Sequence, residues 1–339
     1  MPKAYYILSL FLCLTLHNVR ASYILIPMDA DAQQNHLKAY GITYLSLKNG
    51  HKVQWLLNYR GGSFLLEDIK SLREECTIRG VSFEVISDSK ALSILEYIKS
   101  PSQNMDAVLL EKAPKVAVYS PKGNKPWDDA VTMILTFAEI PYDIIYDEDI
   151  LNDALTKYEW LHLHHEDFSG QFGKFYGAYR TAPWYIKEKL EAEALAKKLG
   201  FNKVSQEKLA VAKRIKDFVI GGGFMFAMCS AADSFDIALS AEDVDICEPM
   251  FDGDPSTPNY QDKIDFSKTF AFTNFVLERN PLIYEYSSID MTRKRHVLRT
   301  QDYFMLKDFS AKWDPVPTML NQNHTQLVKG FMGQTTAFD

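Results

Sequence analysis

Between Gly221 and Phe235 the chain reads GGGFMFAMCSAADSF. Three glycines release a helical pattern into a short apolar run that stops at Cys229, and small residues then open another helical pattern. A strand that ends abruptly at a nucleophilic side chain, with a helix directly behind it, is the layout of a nucleophile elbow. In open α/β sheets such a site lies at the carboxyl end of a parallel strand, so this stretch sets the expected architecture.

The rest of the chain alternates in the same sense. YILIPM (23–28), KVQWLLNY (52–59) and VSFEVIS (81–87) are strand candidates. Between them His36, Tyr40, Tyr44 and Leu47 recur at helical spacing up to Asn49-Gly50, and a helix over Leu66–Arg79 is expected to end at Gly80. Ser87-Asp88-Ser89 offers caps for a helix through Lys99, and Pro101 closes the unit. Strands alternating with helices imply parallel pairing with right-handed crossovers. The pattern restarts with strands at KVAVYS (115–120), YDIIYD (142–147) and YEWLHLHH (158–165), and with helices after Pro126, from Pro183 to Leu199 and from Val204 to Val219. Beyond about Ala241 it becomes irregular: FDGDPSTPNYQD (251–262) reads as loop, FAFTNFVLE (270–278) as a strand, and the remainder shows no clear period. The expected organisation is a signal peptide over 1–21, a βαβ segment over 22–113, an α/β region over 114–245 and an irregular region over 246–339.

Composition narrows the function classes. Hydrophobic content of 47% in 339 residues supplies a sizeable core. A net charge of −7 leaves no basic face to neutralise phosphates, so no nucleic-acid partner is expected. The basic cluster Arg293-Lys294-Arg295-His296 with Arg299 reads as a solvated loop. Lys3, an apolar run over Ala4–Leu16 and the small-residue site Val19-Arg20-Ala21 form a Sec-type signal pattern, which implies a secreted or periplasmic protein. No later run is apolar enough to span a membrane, so no transmembrane anchor is expected after cleavage. Past that segment stand Cys76, Cys229 and Cys247, an odd, low count that excludes a disulfide framework and leaves a free thiol.

Two stretches hold residues suited to chemistry. A helix starting behind Cys229 is expected to lower the thiol pKa and to offer backbone amides to an oxyanion; a buried, inert cysteine is the alternative. In HLHHED, His162 and His164 share one face of a strand, and His165, Glu166 and Asp167 follow at its carboxyl end. His162, His164, His165 and Asp167 are a candidate divalent-metal set, and no cofactor other than a divalent metal is suggested by the residues. A polar strand end bonded to loop groups, or a histidine that orients Cys229, are the alternatives. Asp252-Gly253-Asp254 with Ser256, Asn259 and Asp262 is oxygen-rich enough for calcium or for a plain turn. Asn323-His324-Thr325 matches a glycosylation sequon.

On KVAVYS, YDIIYD, YEWLHLHHED, DFVIGGGFMFAM and the elbow residue Cys229, the run from Lys115 to Phe235 resembles the class I glutamine amidotransferase-like fold, and more closely its ThuA-like branch. Met228, Ala231 and Asp233 stand where that family's elbow usually has glycine, glycine and glutamine. The histidines after the elbow, His296 and His324, are not in a His-x-Glu. The whole chain also resembles an exported bacterial family commonly labelled "asparagine synthetase B". It has neither that activity's N-terminal cysteine nor its SGGxDS-type loop, and CSAADSFD keeps only Ser230 and Asp233-Ser234 of the latter. The resemblance implies a doubly wound, mainly parallel α/β sheet of flavodoxin-like or glutamine amidotransferase-like type. It further implies a cysteine-dependent amide hydrolase built on Cys229, Ser230, His164, His165 and Glu166, acting on a small-molecule, carbohydrate-like or peptide-like ligand. The altered elbow leaves a non-catalytic envelope-associated binding protein as the second expectation, and the histidine cluster leaves a metal-dependent hydrolase as the third.

Overall fold

The computed structural model describes residues 21–121, 130–290, 303–305 and 327–329. The signal segment up to Arg20, the basic cluster 293–299 and the sequon at Asn323 lie outside them. The chain divides into two compact units between Ala113 and Pro114. Among the described residues no helix is long and apolar enough to cross a membrane.

The first unit holds β1 (Ala21–Ile26), α1 (His36–Lys48), β2 (Val53–Leu57), β3 (Ser63–Glu67), α2 (Lys70–Ile78), β4 (Glu84–Ser87), α3 (Asp88–Lys99) and β5 (Asp106–Leu110). Its sheet order is β4-β1-β3-β2-β5, and every neighbouring pair is antiparallel. The expected parallel pairing fails here. β1 and β2 do point the same way, as a βαβ unit requires, but β3 is inserted between them, which makes a split βαβ arrangement. The cause is the connection Asn58–Gly62, where Asn58, Arg60, Gly61 and Gly62 all take positive φ and fold β3 back on β2. The first residues of the helix expected from Leu66 therefore belong to β3. Ile24, Ile26, Phe64 and Leu66 pack with Ala39, Ile42, Leu72 and Cys76 on one face, while Leu25 and Leu65 pack with Ala91, Ile94 and Ile98 on the other. A sheet covered on both faces explains why its strands read as continuous apolar runs.

The second unit is α/β with a parallel sheet. It holds β6 (Val116–Tyr119), α4 (Ala130–Ala138), β7 (Tyr142–Ile145), α5 (Asp147–Leu151), β8 (Trp160–Leu163), α6 (Tyr176–Tyr179), α7 (Pro183–Lys198), α8 (Val204–Ile220), β9 (Phe224–Ala227), α9 (Ser230–Ser240) and α10 (Pro249–Asp252). Strand order is β7-β6-β8-β9, all parallel. Ala117, Tyr119, Leu161 and Leu163 pack on α8 and α9, whereas Val116 and Val118 pack on Leu135 of α4. Helices on both faces are compatible with a doubly wound sheet, and the strand order reverses direction between β6 and β8.

The stretch 270–278, expected as a strand, does not form one. The amides of Phe270, Ala271 and Phe272 donate to the Asp236 carboxylate at 2.7, 2.8 and 2.9 Å, and only Leu277 bridges to Ser287. Residues 246–289 nonetheless bury a core of their own against Ile237, through Ile246, Tyr260, Phe275 and Tyr286. Two short strands, β10 (Tyr303–Met305) and β11 (Leu327–Lys329), pair with each other.

Candidate functional site at the carboxyl edge of the parallel sheet

β9 stays in the ladder as far as Met228, whose amide donates to the Leu163 carbonyl at 2.9 Å. The chain then turns through Cys229 at φ 53° and ψ −137°, and α9 begins at Ser230. A non-glycine residue held there is strained, and such strain persists only where the surroundings impose it. Ala231 and Ala232 close the turn by donating to the Met228 and Cys229 carbonyls at 3.2 and 3.0 Å. The Ser230 amide and hydroxyl act to lower the Cys229 thiol pKa.

The loop after β8 is fastened to this turn. Ser230 Oγ donates to the His165 carbonyl at 2.6 Å. Ser234 Oγ donates to the Glu166 carbonyl and accepts from the Phe168 amide, both at 3.2 Å. Cys229, Ser230, His164, His165 and Glu166 are thus carried by two segments joined by side-chain hydrogen bonds. The histidines face each other with Nδ1 atoms 2.9 Å apart, a contact that requires one ring to present a lone pair there.

The expected metal set does not assemble. His162 is fully buried within β8 with its ring 5.9 Å from that of Phe226. Asp167 organises its own loop, accepting from the Ser169 amide and hydroxyl, both at 2.6 Å, and from the Gly173 amide at 3.0 Å. Among the described residues the three donors close enough to share an ion are Asp245, Cys247 and Asp252. The Lys203 ammonium already sits there, paired with Asp245, Asp252 (2.9 Å) and Asp254, and the Cys247 thiol donates to the Ser169 carbonyl at 3.4 Å. Asp252 and Asp254 of the expected calcium loop therefore serve a lysine.

Electrostatics at the elbow also depart from expectation. Burial pushes the Cys229 thiol up, Asp233 and Asp290 push it further, and the Ser230 amide and hydroxyl only partly oppose them. Desolvation outweighs the N-terminus of α9. Asp233, one turn beyond Cys229 and 3% exposed, is held well above the usual carboxylate range by burial and by Asp290. The amides of Asp233 and Ser234 lie close enough to oppose that shift, yet neither carboxyl oxygen has a hydrogen-bond partner among the described residues. Tyr284 and Tyr286 are raised by burial, with contributions from Cys229 and Asp233. The Tyr284 ring stacks on Phe175 at 5.4 Å, and Phe175 in turn meets Trp184 at 5.6 Å.

Beside β8, at the carboxyl ends of β6 and β7, lies a polar cluster that sequence reasoning did not find. Lys208 donates to Tyr119 Oη at 2.9 Å, Tyr146 Oη at 3.2 Å and Asp147 Oδ2 at 2.7 Å, and the Tyr119 hydroxyl donates to Asp147 Oδ1. Burial, with Asp147 adding to it against the opposing Lys208 charge, raises the Glu166 carboxyl to about 7. The readable signal was Lys208 itself, set among Val204, Val211, Ala212 and Ile215 on the apolar face of α8.

No family model, no curated protein and no solved structure matches the chain.

Proposed function

We propose that this edge is the active site of a glutamine amidotransferase-like hydrolase in which Cys229 attacks the carbonyl of an amide-type substrate. The observation that carries the reading is the backbone of Cys229, held at φ 53° and ψ −137° between a parallel strand and an eleven-residue helix. The order β7-β6-β8-β9 supports the flavodoxin-like class, whose ligands bind outside the carboxyl ends of the strands where the order reverses. In the proposed step Cys229 Sγ bonds to the carbonyl carbon and its proton passes to the His164–His165 pair. The carbonyl electron pair moves onto oxygen facing the Ser230 amide; the amine then leaves with that proton, and water hydrolyses the thioester. Glu166, raised into the neutral range and electrostatically coupled to His164, is suited to adjust that pair. The signal pattern at the N-terminus supports work outside the cytoplasm.

A second reading, a non-catalytic binding protein that keeps the fold, is favoured by one observation: the thiol is pushed up among acidic neighbours rather than down. Incubation with a panel of p-nitroanilide and glutamine-type amides, followed by mass spectrometry, separates the two. A thioester on Cys229 and turnover lost in Cys229→Ser establish the hydrolase. Absence of any adduct, with ligand binding preserved in Cys229→Ala, establishes the binder.

A further inference from the structure

α7 is apolar on two sides. Tyr185 and Ala196 are buried, and between them Lys189 reaches over the Phe172 ring, 5.4 Å from its centre, to donate to the Met250 carbonyl at 2.9 Å. Those contacts fix which side of the helix packs on the second unit. On the other side Pro183, Ile186, Lys187, Leu190, Glu191 and Ala194 line a shallow, apolar groove along the helix. Ile186, Leu190 and Ala194 are spaced by one turn and form a stripe, and Ile186 and Leu190 leave 46% and 59% of their surface exposed. Single apolar residues on a surface are ordinary, but an aligned set on one helix marks a face that a partner covers. The rim says which partner. Lys187 and Glu191 stand one turn apart beside the stripe with 3.7 Å between their charged groups, one of each sign.

We propose that this face of α7 pairs with α7 of a second copy of the chain, the two helices antiparallel about a two-fold axis at Leu190. A two-fold contact has to be complementary to itself, because residue i meets j while j meets i. In this arrangement Leu190 packs on Leu190 of the second copy and Ile186 packs beside the second copy's Ala194. Lys187 of each copy meets Glu191 of the other, so ion pairs flank an apolar seam and set its orientation. The opposed helix dipoles favour the same orientation. A rim with one charge of each sign suits a copy of itself better than a partner of single-sign charge. A 16-residue helix is about 24 Å long, so the seam buries less than the roughly 1,600 Å² of a standard interface. The pairing is therefore reversible, with a dissociation constant of about 10–100 μM. It is independent of the chemistry at the elbow.

Sedimentation velocity on the full chain, from well below to well above that range, tests this. The unaltered chain should pass from monomer to dimer. Leu190→Glu, at an exposed position, should weaken association about tenfold or more without lowering the thermal midpoint. Lys187→Glu and Glu191→Lys should each weaken it about threefold or more, because each sets like charges across the two-fold axis. An equimolar mixture of those two variants should associate at least as tightly as the unaltered chain, because the mixed dimer restores both ion pairs. A dimer that persists unchanged in Leu190→Glu, or a mixture that associates no better than its separate components, would overturn the inference. So would an unaltered chain that stays monomeric throughout. In that case a lowered midpoint in Leu190→Glu would assign the face to another part of the same chain, and an unchanged midpoint would assign it to a different macromolecule.

Discussion

Lys208 Nζ lies 2.7 Å from Asp147 Oδ2 where the two side chains keep only 6% and 1% of their surface exposed. An ion pair removed this far from water is costly to break, because the surviving charge is stranded in a poorly polarisable interior. Lys208→Met should destabilise the protein by about 3–5 kcal/mol, and pairing it with Asp147→Leu should recover much of that loss. Urea denaturation measures both. A single-mutant loss below about 1 kcal/mol, the range of exposed pairs, would show that the pair is solvated.

The carboxyls around this pair make stability fall toward alkaline pH. Glu207 is pushed up to about 8 and Glu166 to about 7 from 4.5, in each case mainly by burial. Raised in the folded state, these groups bind more protons there than in the unfolded chain, so unfolding free energy declines as pH climbs from the unfolded value through the folded one. Lys174, lowered to about 8 by burial, has the opposite sign and acts only above that pH. Melting temperatures should therefore drop between pH 5 and pH 8, and Glu207→Gln should flatten the drop. A melting temperature that climbs across this interval is the contrary result.

Much of the parallel unit could be read from residues because each strand is apolar and bounded by helical periods. KVAVYS, YDIIYD and WLHL all became strands, and Cys229 fell at the turn. The antiparallel unit was not readable in the same way. The tight fold-back at Asn58–Gly62 hides in a run of polar and glycine residues, and FLLE merges into the helical pattern that follows it. The site was half visible. Cys229 and the histidine loop carry recognisable chemistry in their own residues, whereas Asp233 and Asp290 lie 57 positions apart and matter only through burial that three-dimensional packing creates.

Alkylation should follow the burial of the three thiols. Cys229 is only partly covered, whereas Cys76 and Cys247 are fully buried, and burial raises Cys76 to about 11. Iodoacetamide is expected to modify Cys229 first, with a rate midpoint above the ordinary thiol value of about 8.5. Cys76 and Cys247 should react only after denaturant is added. Peptide mapping across a pH series reads this directly. Fast modification of Cys229 below neutral pH would mean that the α9 N-terminus, and not desolvation, sets its ionisation.

Gly177 tests how the Tyr284–Phe175 stack is held. A Cβ built at this position would come within 2.7 Å of the Leu282 carbonyl oxygen, so α6 touches the backbone that carries Tyr284. Gly177→Ala should cost about 1–3 kcal/mol through overpacking and displace Tyr284 from Phe175. Near-ultraviolet circular dichroism and thermal melts check both, and an unchanged aromatic signal would show that the segment yields without moving the ring.

The serine clamps between α9 and the β8 loop have a kinetic consequence. With Ser230 gripping the His165 carbonyl and Ser234 bonded on both sides to Glu166 and Phe168, neither segment can lift without undoing the other's hydrogen bonds. The amides of residues 164–168 and 230–234 are therefore expected to exchange with deuterium through one shared opening event. Such an edge presents its thiol, imidazoles and carboxyls together or not at all.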